Sequence, residues 1–553
     1  MPKNNYVIFV CCLLCLTLIG CANRVEFAPL PLQYKLAPAT ESSLAQYINA
    51  KIQHSRSHHL QIDQVQHLHP ENSLIAKANK PQTTATNEAS LTGVNPLSDG
   101  IDAFIARLAM IEAATESIDL QYYIYRNDET GKILSLFLYK AAQRGVRVRV
   151  LLDDLTTANG DDGLMAIATH PNISVRLFNP SYERQYRGLA FLWNFSRLNH
   201  RMHNKSLTID NLVTVVGGRN IGAEYFSADE NVDFGDFDLL AIGDAVDKVS
   251  TQFDTYWNSA QVNSIEQLVK AAEPYQGNNT NPEQDNALAK LDARASILEK
   301  SLMTDEYVTR LEKNTLLDRL QNQGLQWYWG EAQVVYDPPN KLERNPNDSI
   351  LLDDLSYFFE QAQHQLLIVS PYFVPGDAAT HALINEVKRG KEVTIVTNSL
   401  AATDVLAVHA GYQQYRQKLI EGGVKIYEVK GNAKGQESKK TSWKGSSRTS
   451  LHAKTFIIDE QTLFVGSFNF DPRSALINTE MGLIIDNEML AKEILAGLAL
   501  SANDKAYEVV LKNGELVWLD HQHHKIIYAE PGAGFWRKFL ADFLALLPIE
   551  SQL

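Results

Sequence analysis

Two stretches of this chain carry the same chemically active side chains at the same spacing. Each has a histidine, a lysine two residues later and an aspartate after four further residues: His203, Lys205 and Asp210 in the first, and His452, Lys454 and Asp459 in the second. In an extended strand, residues two apart point to the same face. An imidazole can act as nucleophile or proton carrier, and an ammonium group stabilises negative phosphoryl oxygens. Each pair therefore suits phosphodiester chemistry.

Both stretches continue in the same way. After six intervening residues each has a glycine, and three residues later an asparagine, Asn220 or Asn469. A single copy would fit an ordinary histidine on a structural strand, but the duplication favours a functional pair. The pattern HxKx4Dx6GSxN resembles the signature of the phospholipase D superfamily. The second copy has its serine, Ser467, whereas the first has Gly218 in that place.

The resemblance extends from about residue 99 to the C-terminus and is closest to bacterial cardiolipin synthases, particularly the cardiolipin synthase C type. It rests on local phrases such as VGGRNIGAEYF, TNSLAATDVLAVHAGYQQYR, SFNFDPRSALINTEMG and LLPIESQL. It implies an α/β fold of two phospholipase D-like lobes. Each lobe would be a mixed β-sheet with helices on both faces, and pseudo-twofold symmetry would bring the active site to the lobe interface.

Hydrophobic periodicity independently divides the chain into repeated units. Apolar strand patterns alternate with helical patterns in the same order in both halves, which favours layered sheets covered by helices. We expect the following segments: 1–21 a signal peptide, 22–97 a polar tether, 98–262 the first lobe, 263–326 a linker with surface helices, 327–502 the second lobe, and 503–553 an extension with an amphipathic helix. That helix is expected either to lie in a membrane interface or to complete a lobe's core.

The N-terminus predicts export and lipid attachment. One early lysine precedes an apolar run, and Leu18, Ile19, Gly20 and Cys21 resemble a bacterial lipobox. All four cysteines lie within residues 1–21, so a chain cleaved before Cys21 keeps only the lipidated one. Because Ala22 is not Asp, the sorting pattern favours the periplasmic face of the outer membrane of a bacterial envelope. An ordinary signal or uncleaved anchor is the alternative.

The resemblance assigns the site residues. One imidazole would attack phosphorus and the other would protonate the leaving alcohol; it favours His203 as nucleophile, while the residues alone leave both open. Lys205 and Lys454 would hold the phosphoryl oxygens. Asn220, Ser467 and Asn469 would bind or orient the phosphate. Asp210 and Asp459 complete the family's pattern and are expected to serve structure more than chemistry, through turn hydrogen bonds or an ion pair beside the site.

Each imidazole also needs a partner that orients it. Asp238 and Glu480, by their positions in the repeat, are candidates to accept the ring N–H, as a carboxylate does in a catalytic triad. No cofactor and no metal are expected, because the acidic residues show no liganding pattern and two ammonium groups would repel a cation.

The expected substrates are phospholipids at a membrane surface. Two loops that precede the motifs, 181–202 and 430–448, mix basic with aromatic residues, which suits anionic headgroups and the bilayer interface. A net charge of −14 argues against a dedicated nucleic-acid partner. No oligomer is required, since one chain holds both motifs.

The expected function is a membrane-associated phosphatidyltransferase. A phosphatidyl group would pass through a covalent phosphatidyl-histidine to an alcohol such as phosphatidylglycerol. Three alternatives remain open at this point: a phospholipase D hydrolase that releases phosphatidic acid, a nuclease or phosphodiesterase with the same chemistry, and a noncatalytic lipid-binding lipoprotein.

Overall fold

The computed structural model describes residues 27–65, 91–157, 160–229, 232–272, 283–302, 306–313, 324–343, 350–431 and 448–553. The signal segment, Cys21 and most of the 430–448 loop lie outside these residues. The strands are β1 Thr92–Leu97, β2 Ser117–Tyr122, β3 Arg147–Asp153, β4 Ile173–Phe178, β5 Ser206–Ile209, β6 Val213–Gly217, β7 Val232–Gly235, β8 Asp238–Gly243, β9 Val262–Ser264, β10 Tyr328–Gly330, β11 Ala332–Tyr336, β12 Gln365–Val369, β13 Glu392–Asn398, β14 Lys425–Val429, β15 Arg448–Leu451, β16 Thr455–Ile458, β17 Thr462–Gly466, β18 Met481–Asp486, β19 Ala506–Lys512, β20 Glu515–Asp520 and β21 Lys525–Ile527.

Helices cover these strands. They are α1 Ser43–Val65, α2 Gly100–Ala113, α3 Glu129–Gln143, α4 Asp161–Ala168, α5 Arg187–Trp193, α6 Phe195–Leu198, α7 Asp244–Trp257, α8 Ile265–Ala272, α9 Glu283–Leu302, α10 Glu306–Glu312, α11 Ile350–Gln361, α12 Gly376–Lys388, α13 Leu406–Glu421, α14 Pro472–Leu476, α15 Glu488–Lys505 and α16 Phe535–Ala545. Across the described ranges, none of them is both long and apolar enough to cross a bilayer.

Two large mixed sheets share one strand order, which confirms the predicted fold class. The first runs β10-β1-β8-β6-β5-β2-β3-β4-β9, and the second runs β11-β18-β17-β16-β12-β13-β14-β19-β20-β21. In both, the motif hairpin, β5–β6 or β16–β17, lies antiparallel beside a set of parallel strands. The duplication in the sequence is thus a duplication of the sheet.

The two sheets bury an apolar layer between them. Side chains of the first lobe, including Val94 and Leu239, cluster with side chains of the second, including Leu463 and Ile485, and all four are nearly inaccessible to solvent. The chain passes between the sheets at Glu331, because β10 pairs with β1 in the first sheet and β11 pairs with β18 in the second. The two lobes therefore share one core.

Some segment bounds differ from those expected. The tether assigned to residues 22–97 includes β1, an inner strand of the first sheet, and Lys35 N–H in its early part donates to Asp254 at 2.7 Å. At the other end, β19–β21 extend the second sheet beyond residue 502. Polar composition hides these contacts, because the few apolar residues of the first segment, such as Ala45 and Ile48, are buried in the core while its polar residues dominate the sequence.

Candidate active site

Each motif aspartate closes the hairpin that carries its histidine. The carboxylate of Asp210 accepts the backbone N–H groups of Thr115, Glu116 and Ser117 at 2.8–2.9 Å. Asp459 accepts those of residues 363–365 at 2.7–2.9 Å. Both aspartates have positive φ, 52° in each, as do the residues after them, within the three-residue loops that join Ile209 to Val213 and Ile458 to Thr462. Their contacts are those of turn residues.

The motif strands begin later than the alternating pattern predicts. β5 and β16 start directly after the lysines, because the backbone of each histidine is bound by the opposite lobe. His203 N–H donates to the Thr479 carbonyl at 2.8 Å, and His452 N–H donates to the Gly235 carbonyl at 2.7 Å. β15, which leads to His452, also pairs in parallel with β7 of the first lobe. Each lobe therefore positions the other's histidine.

His203 meets a carboxylate from the second lobe. Its Nδ1 lies 2.8 Å from Glu480 Oε2, and Tyr123 packs edge-on against its ring at 5.0 Å between centroids. Ser467 Oγ donates to the same carboxylate oxygen. With Nδ1 engaged, Nε2 is the ring nitrogen available for chemistry. Glu480 thus has the orienting contact expected for it, and Ser467 orients Glu480.

His452 meets a carboxylate from the first lobe, and here the sequence expectation is corrected. Its Nδ1 lies 2.6 Å from Asp236 Oδ2, and not against Asp238. Asp238 is instead fully buried in ion pairs with Arg107 at 2.9 Å and Arg219 at 3.2 Å. Arg219 also donates to the Asp236 carbonyl at 2.6 Å. Asp238 therefore supports the segment that carries the orienting carboxylate.

The register of the two hairpins explains the misassignment. Gly217 pairs with Asp238 in the first sheet, and Gly466 pairs with Gly482 in the second. Glu480 stands two residues before Gly482, so its counterpart is Asp236, two residues before Asp238. The strand register finds this residue and sequence spacing does not, because Asp236 follows Gly217 by 19 residues whereas Glu480 follows Gly466 by 14.

Position 218 has glycine where the family pattern has serine, and the position of the Asp236 side chain explains why. A Cβ at Gly218 would lie 2.2 Å from Asp236 Oδ1, so only glycine leaves room for that side chain. In the second lobe the longer Glu480 reaches past Ser467 and accepts its hydroxyl. Asp236 beside Gly218 and Glu480 beside Ser467 are thus two ways of bringing a carboxylate to the histidine of the other motif.

The two motif asparagines differ in their contacts. Asn220 Oδ1 accepts the Ile124 N–H at 3.2 Å, and its Nδ2 donates to the Tyr225 hydroxyl at 2.9 Å. Tyr225 packs edge-on against His452 at 5.1 Å. In the described structure Asn469 Oδ1 is buried with no hydrogen-bond partner. Asn220 therefore braces the site, while Asn469 keeps a polar atom for another group.

Both lysines are buried with the histidines. Lys205 Nζ donates to the His203 carbonyl at 2.5 Å, and Lys454 Nζ donates to that of His452 at 2.6 Å. Burial lowers the pKa of Lys205 to about 7 and that of Lys454 to about 8. Near neutral pH these ammonium groups are poised to lose a proton unless an anion enters, so the site favours a phosphoryl group.

The four remaining ionisable groups are not equivalent. Burial and the charges of Lys205 and Lys454 hold the pKa of His203 well below its ordinary value. Burial also lowers the pKa of His452, but Asp236 opposes that change. Burial raises the pKa of Glu480 to about 7. Burial alone would raise the pKa of Asp236 too, yet the charges of His452 and Lys454 outweigh it and lower that pKa. Of the two histidine–carboxylate pairs, His452 with Asp236 therefore has the stronger tendency to be charged.

Other supporting residues lacked a sequence signal. Asp337 Oδ2 accepts the Glu480 N–H at 3.1 Å and pairs with Lys341 Nζ at 2.9 Å. Lys341 in turn donates to the carbonyls of Ser474 and Asn478. This pair stands just past the chain crossing, where the sequence indicates only the start of a lobe.

The basic loop before the first motif also differs from expectation. Its four arginines do not face headgroups: Arg184 and Arg187 pair with Asp154 and Asp161, Arg201 pairs with Asp153, and Arg197 donates to Asn179. These contacts fold the loop onto the first lobe. Its aromatic residues Tyr186 and Phe195 remain exposed.

Comparisons with known proteins agree with this site. The family described as "Cardiolipin synthase, PLD-like domain" matches residues 108–257 and 355–499, which include both motifs. Cardiolipin synthase C of Escherichia coli (strain K12) is 40% identical over 463 residues, covering 83% of this chain and 95% of that protein. The chain belongs to this family. It is a phospholipase D superfamily enzyme of the phosphatidyltransferase/phosphodiesterase class.

More distant relatives also match most of the chain. The major cardiolipin synthase of Bacillus subtilis (strain 168) is 26% identical over 406 residues, covering 73% of this chain and 67% of that protein. The crystal structure of phosphatidylserine synthase from Haemophilus influenzae superposes with a TM-score of 0.53 at 15% identity, covering 83% of this chain and 95% of that one. At this identity the likeness concerns the fold.

Gly218→Ala tests the fit between Asp236 and the first motif. The added Cβ displaces the Asp236 carboxylate and with it the His452 ring, so we expect kcat to fall by about 100-fold, as for lost orienting partners. Turnover and thermal unfolding are measured together. Gly163→Ala is the matched control, since a Cβ there meets nothing within 4 Å. Near-normal turnover of a folded Gly218→Ala enzyme would contradict the account.

The lysine pKa values predict an early alkaline limit. As pH rises, Lys205 and Lys454 lose their charge and can no longer stabilise phosphoryl oxygens, so kcat/KM should fall between pH about 7 and 8. An unperturbed lysine would place this limit near about 10.4. The pH profile of kcat/KM is the measurement, with Lys418→Arg as a control at an exposed lysine that is expected to change nothing. An alkaline limit above about pH 9 would contradict the burial argument.

Proposed function

We propose that this enzyme moves a phosphatidyl group from one phospholipid to an alcohol acceptor such as phosphatidylglycerol, through a covalent phosphatidyl-histidine. The observation that carries the proposal is the pairing of each imidazole Nδ1 with a carboxylate from the other lobe, at 2.8 and 2.6 Å. This leaves two Nε2 atoms and two lysines in a buried site, which are the parts that phosphoryl exchange requires.

The electrostatics favour His203 as nucleophile. Because its pKa is held well below the ordinary value, its ring is neutral and carries a lone pair on Nε2. Burial lowers the pKa of His452 as well, but the ionised Asp236 beside it opposes that change and stabilises an imidazolium, so His452 is the better proton donor of the two rings. The sequence resemblance favours the same assignment.

The proposed reaction has two balanced steps. In the first, His203 Nε2 attacks phosphorus, the P–O bond to the donor headgroup breaks, and His452 gives its proton to the departing alkoxide. In the second, His452 takes a proton from the acceptor hydroxyl, whose oxygen attacks phosphorus as the P–N bond breaks. Both histidines return to their starting states, with Lys205 and Lys454 stabilising the nonbridging oxygens throughout.

Membrane association is part of the proposal. The lipobox-like residues before Cys21 support lipid attachment at that cysteine, and Ala22 supports the periplasmic face of the outer membrane. An enzyme anchored in this way meets both donor and acceptor lipids in the bilayer surface. No partner subunit is needed, since one chain supplies both motifs.

Defined phospholipids test the function directly. Purified enzyme with phosphatidylglycerol vesicles should yield cardiolipin and free glycerol, resolved by mass spectrometry, and acid quenching should trap a phosphatidyl adduct. His203→Ala should abolish both turnover and the adduct. His452→Ala should reduce turnover by at least about 1,000-fold, but the phosphatidyl adduct should still be trapped because His203 is present.

Other products would change the conclusion. Phosphatidic acid as the only product assigns the enzyme to the hydrolases, and cleavage of DNA in chelator assigns it to the nucleases. Near-normal turnover by either alanine variant would contradict the two-histidine mechanism. Leu500→Ala, at an exposed position away from the motifs, is the control for effects of mutagenesis and purification that do not involve the motifs.

A further inference from the structure

The C-terminal helix α16 carries its large apolar side chains on the outside. Seven of them are exposed along the helix and the turn that follows it: Phe535, Trp536, Phe539, Leu540, Phe543, Leu546 and Leu547. Three are more than 70% exposed, namely Phe535 at 72%, Trp536 at 76% and Leu546 at 82%. Neighbouring rings touch, with Trp536 edge-on to both Phe535 and Phe539. Together they form a continuous apolar ridge.

The amphipathic pattern of this helix is inverted. At about 100° per residue, the seven side chains fall within an arc of about 140°. The opposite side holds Ala541, which is fully buried, and Arg537, whose Nε donates to the Leu400 carbonyl at 2.6 Å. An ordinary surface helix turns its apolar side toward the core. The alternative that α16 completes a lobe's core is therefore wrong for its aromatic side.

The segments at the two ends of the ridge are hydrogen-bonded to loops near the motif histidines. Arg537 also donates to the Thr403 carbonyl, next to Asp404, which accepts the Tyr372 hydroxyl at 2.8 Å. At the start of the same loop, the Asn398 side chain exchanges two hydrogen bonds of 2.9 Å with the backbone of Leu451, one residue before His452. The N-terminal end of the ridge is thus fastened to a loop that contacts the second motif.

The chain after the ridge returns to the first motif. Gln552 accepts from Asn199 Nδ2 at 2.8 Å, and Arg473 donates both to the Gln552 carbonyl and to the Asn199 carbonyl. Asn199 precedes His203 by four residues. The two ends of the ridge are consequently connected to segments that lead to both histidines.

The side-chain composition of the ridge indicates what kind of surface it binds. Along Phe535–Leu547, all of which the structure describes, the exposed arc itself contains aromatic and leucine side chains, and the exposed Asp542 borders it about 20° from Phe535. Tryptophan and phenylalanine partition into the interface of a bilayer, where lipid headgroups meet acyl chains. A charged or polar protein partner would leave this surface unmatched.

We propose that the ridge Phe535–Leu547 is the surface that seats this enzyme on a phospholipid bilayer, with the mouth of the cleft facing the lipids. The inference rests on the proposed function, because lipid substrates must enter from that surface. Apolar burial, rather than attraction to anionic lipids, provides the affinity, so docking occurs on zwitterionic phosphatidylcholine, which has no net charge, and persists in high salt.

Trp536 reports docking without reference to turnover. The full chain is mixed with phosphatidylcholine vesicles whose acyl chains carry bromine, which quenches nearby tryptophan fluorescence. We expect a quenched component in the parent chain that is lost in Trp536→Phe, although six other tryptophans remain. Equal quenching in the two proteins overturns the proposal.

A paired activity measurement separates docking from chemistry. The variant Phe539→Ser with Phe543→Ser should lose at least about tenfold in turnover of vesicle phospholipid, and should keep its turnover of a water-soluble short-chain phosphatidylglycerol. Leu500→Ser is the matched control, because Leu500 is 79% exposed on α15, outside the ridge. It should leave both activities unchanged.

The remaining outcomes are distinguishable. No turnover of the short-chain lipid by the parent chain contradicts the proposed function, while quenching at Trp536 still reports on docking. Equal loss on both substrates, or a ridge variant that only converts a dimer to a monomer in sedimentation, overturns the docking role.

Discussion

Each motif imidazole of this enzyme is hydrogen-bonded by a carboxylate that belongs to the other half of the chain. Glu480 holds His203 and Asp236 holds His452, and the backbone of each histidine is bound across the same boundary. Neither lobe can therefore complete its own half of the site. The apolar layer between the two sheets fixes these distances, because it brings both motif hairpins to one interface.

The constraint is also energetic. Two lysines, two histidines and two carboxylates are buried together, and each charge removed from water is costly unless it is paired and hydrogen-bonded. The pairs across the lobe boundary offset part of that cost. What remains uncompensated is the positive charge of the lysines, whose pKa values are lowered as a result. An entering phosphoryl group supplies the missing negative charge, so the free site is poised for its substrate.

Much of this arrangement could be predicted from the sequence, because the repeat is written in it. The HxKx4D spacing, its duplication and the alternating strand and helix patterns indicate two sheets and a shared site.

The sequence does not identify the partner of His452, since Asp236 and Asp238 stand in one short segment and only the strand register separates their roles. The bracing pair Asp337 and Lys341 carries no motif at all, because its contacts join segments distant in sequence. Periodicity likewise detects the amphipathic character of α16 but not the direction in which its apolar side points.

The central claim concerns the exchange of carboxylates between lobes, and NMR of the imidazole Nδ1–H protons tests it most directly. The account predicts two strongly deshielded signals. Asp236→Asn should shift only the signal of His452, Glu480→Gln should shift only that of His203, and each assignment is checked by the corresponding histidine substitution. If Asp236→Asn leaves the His452 signal in place, or Glu480→Gln moves it instead, the lobes do not orient each other's histidines as described.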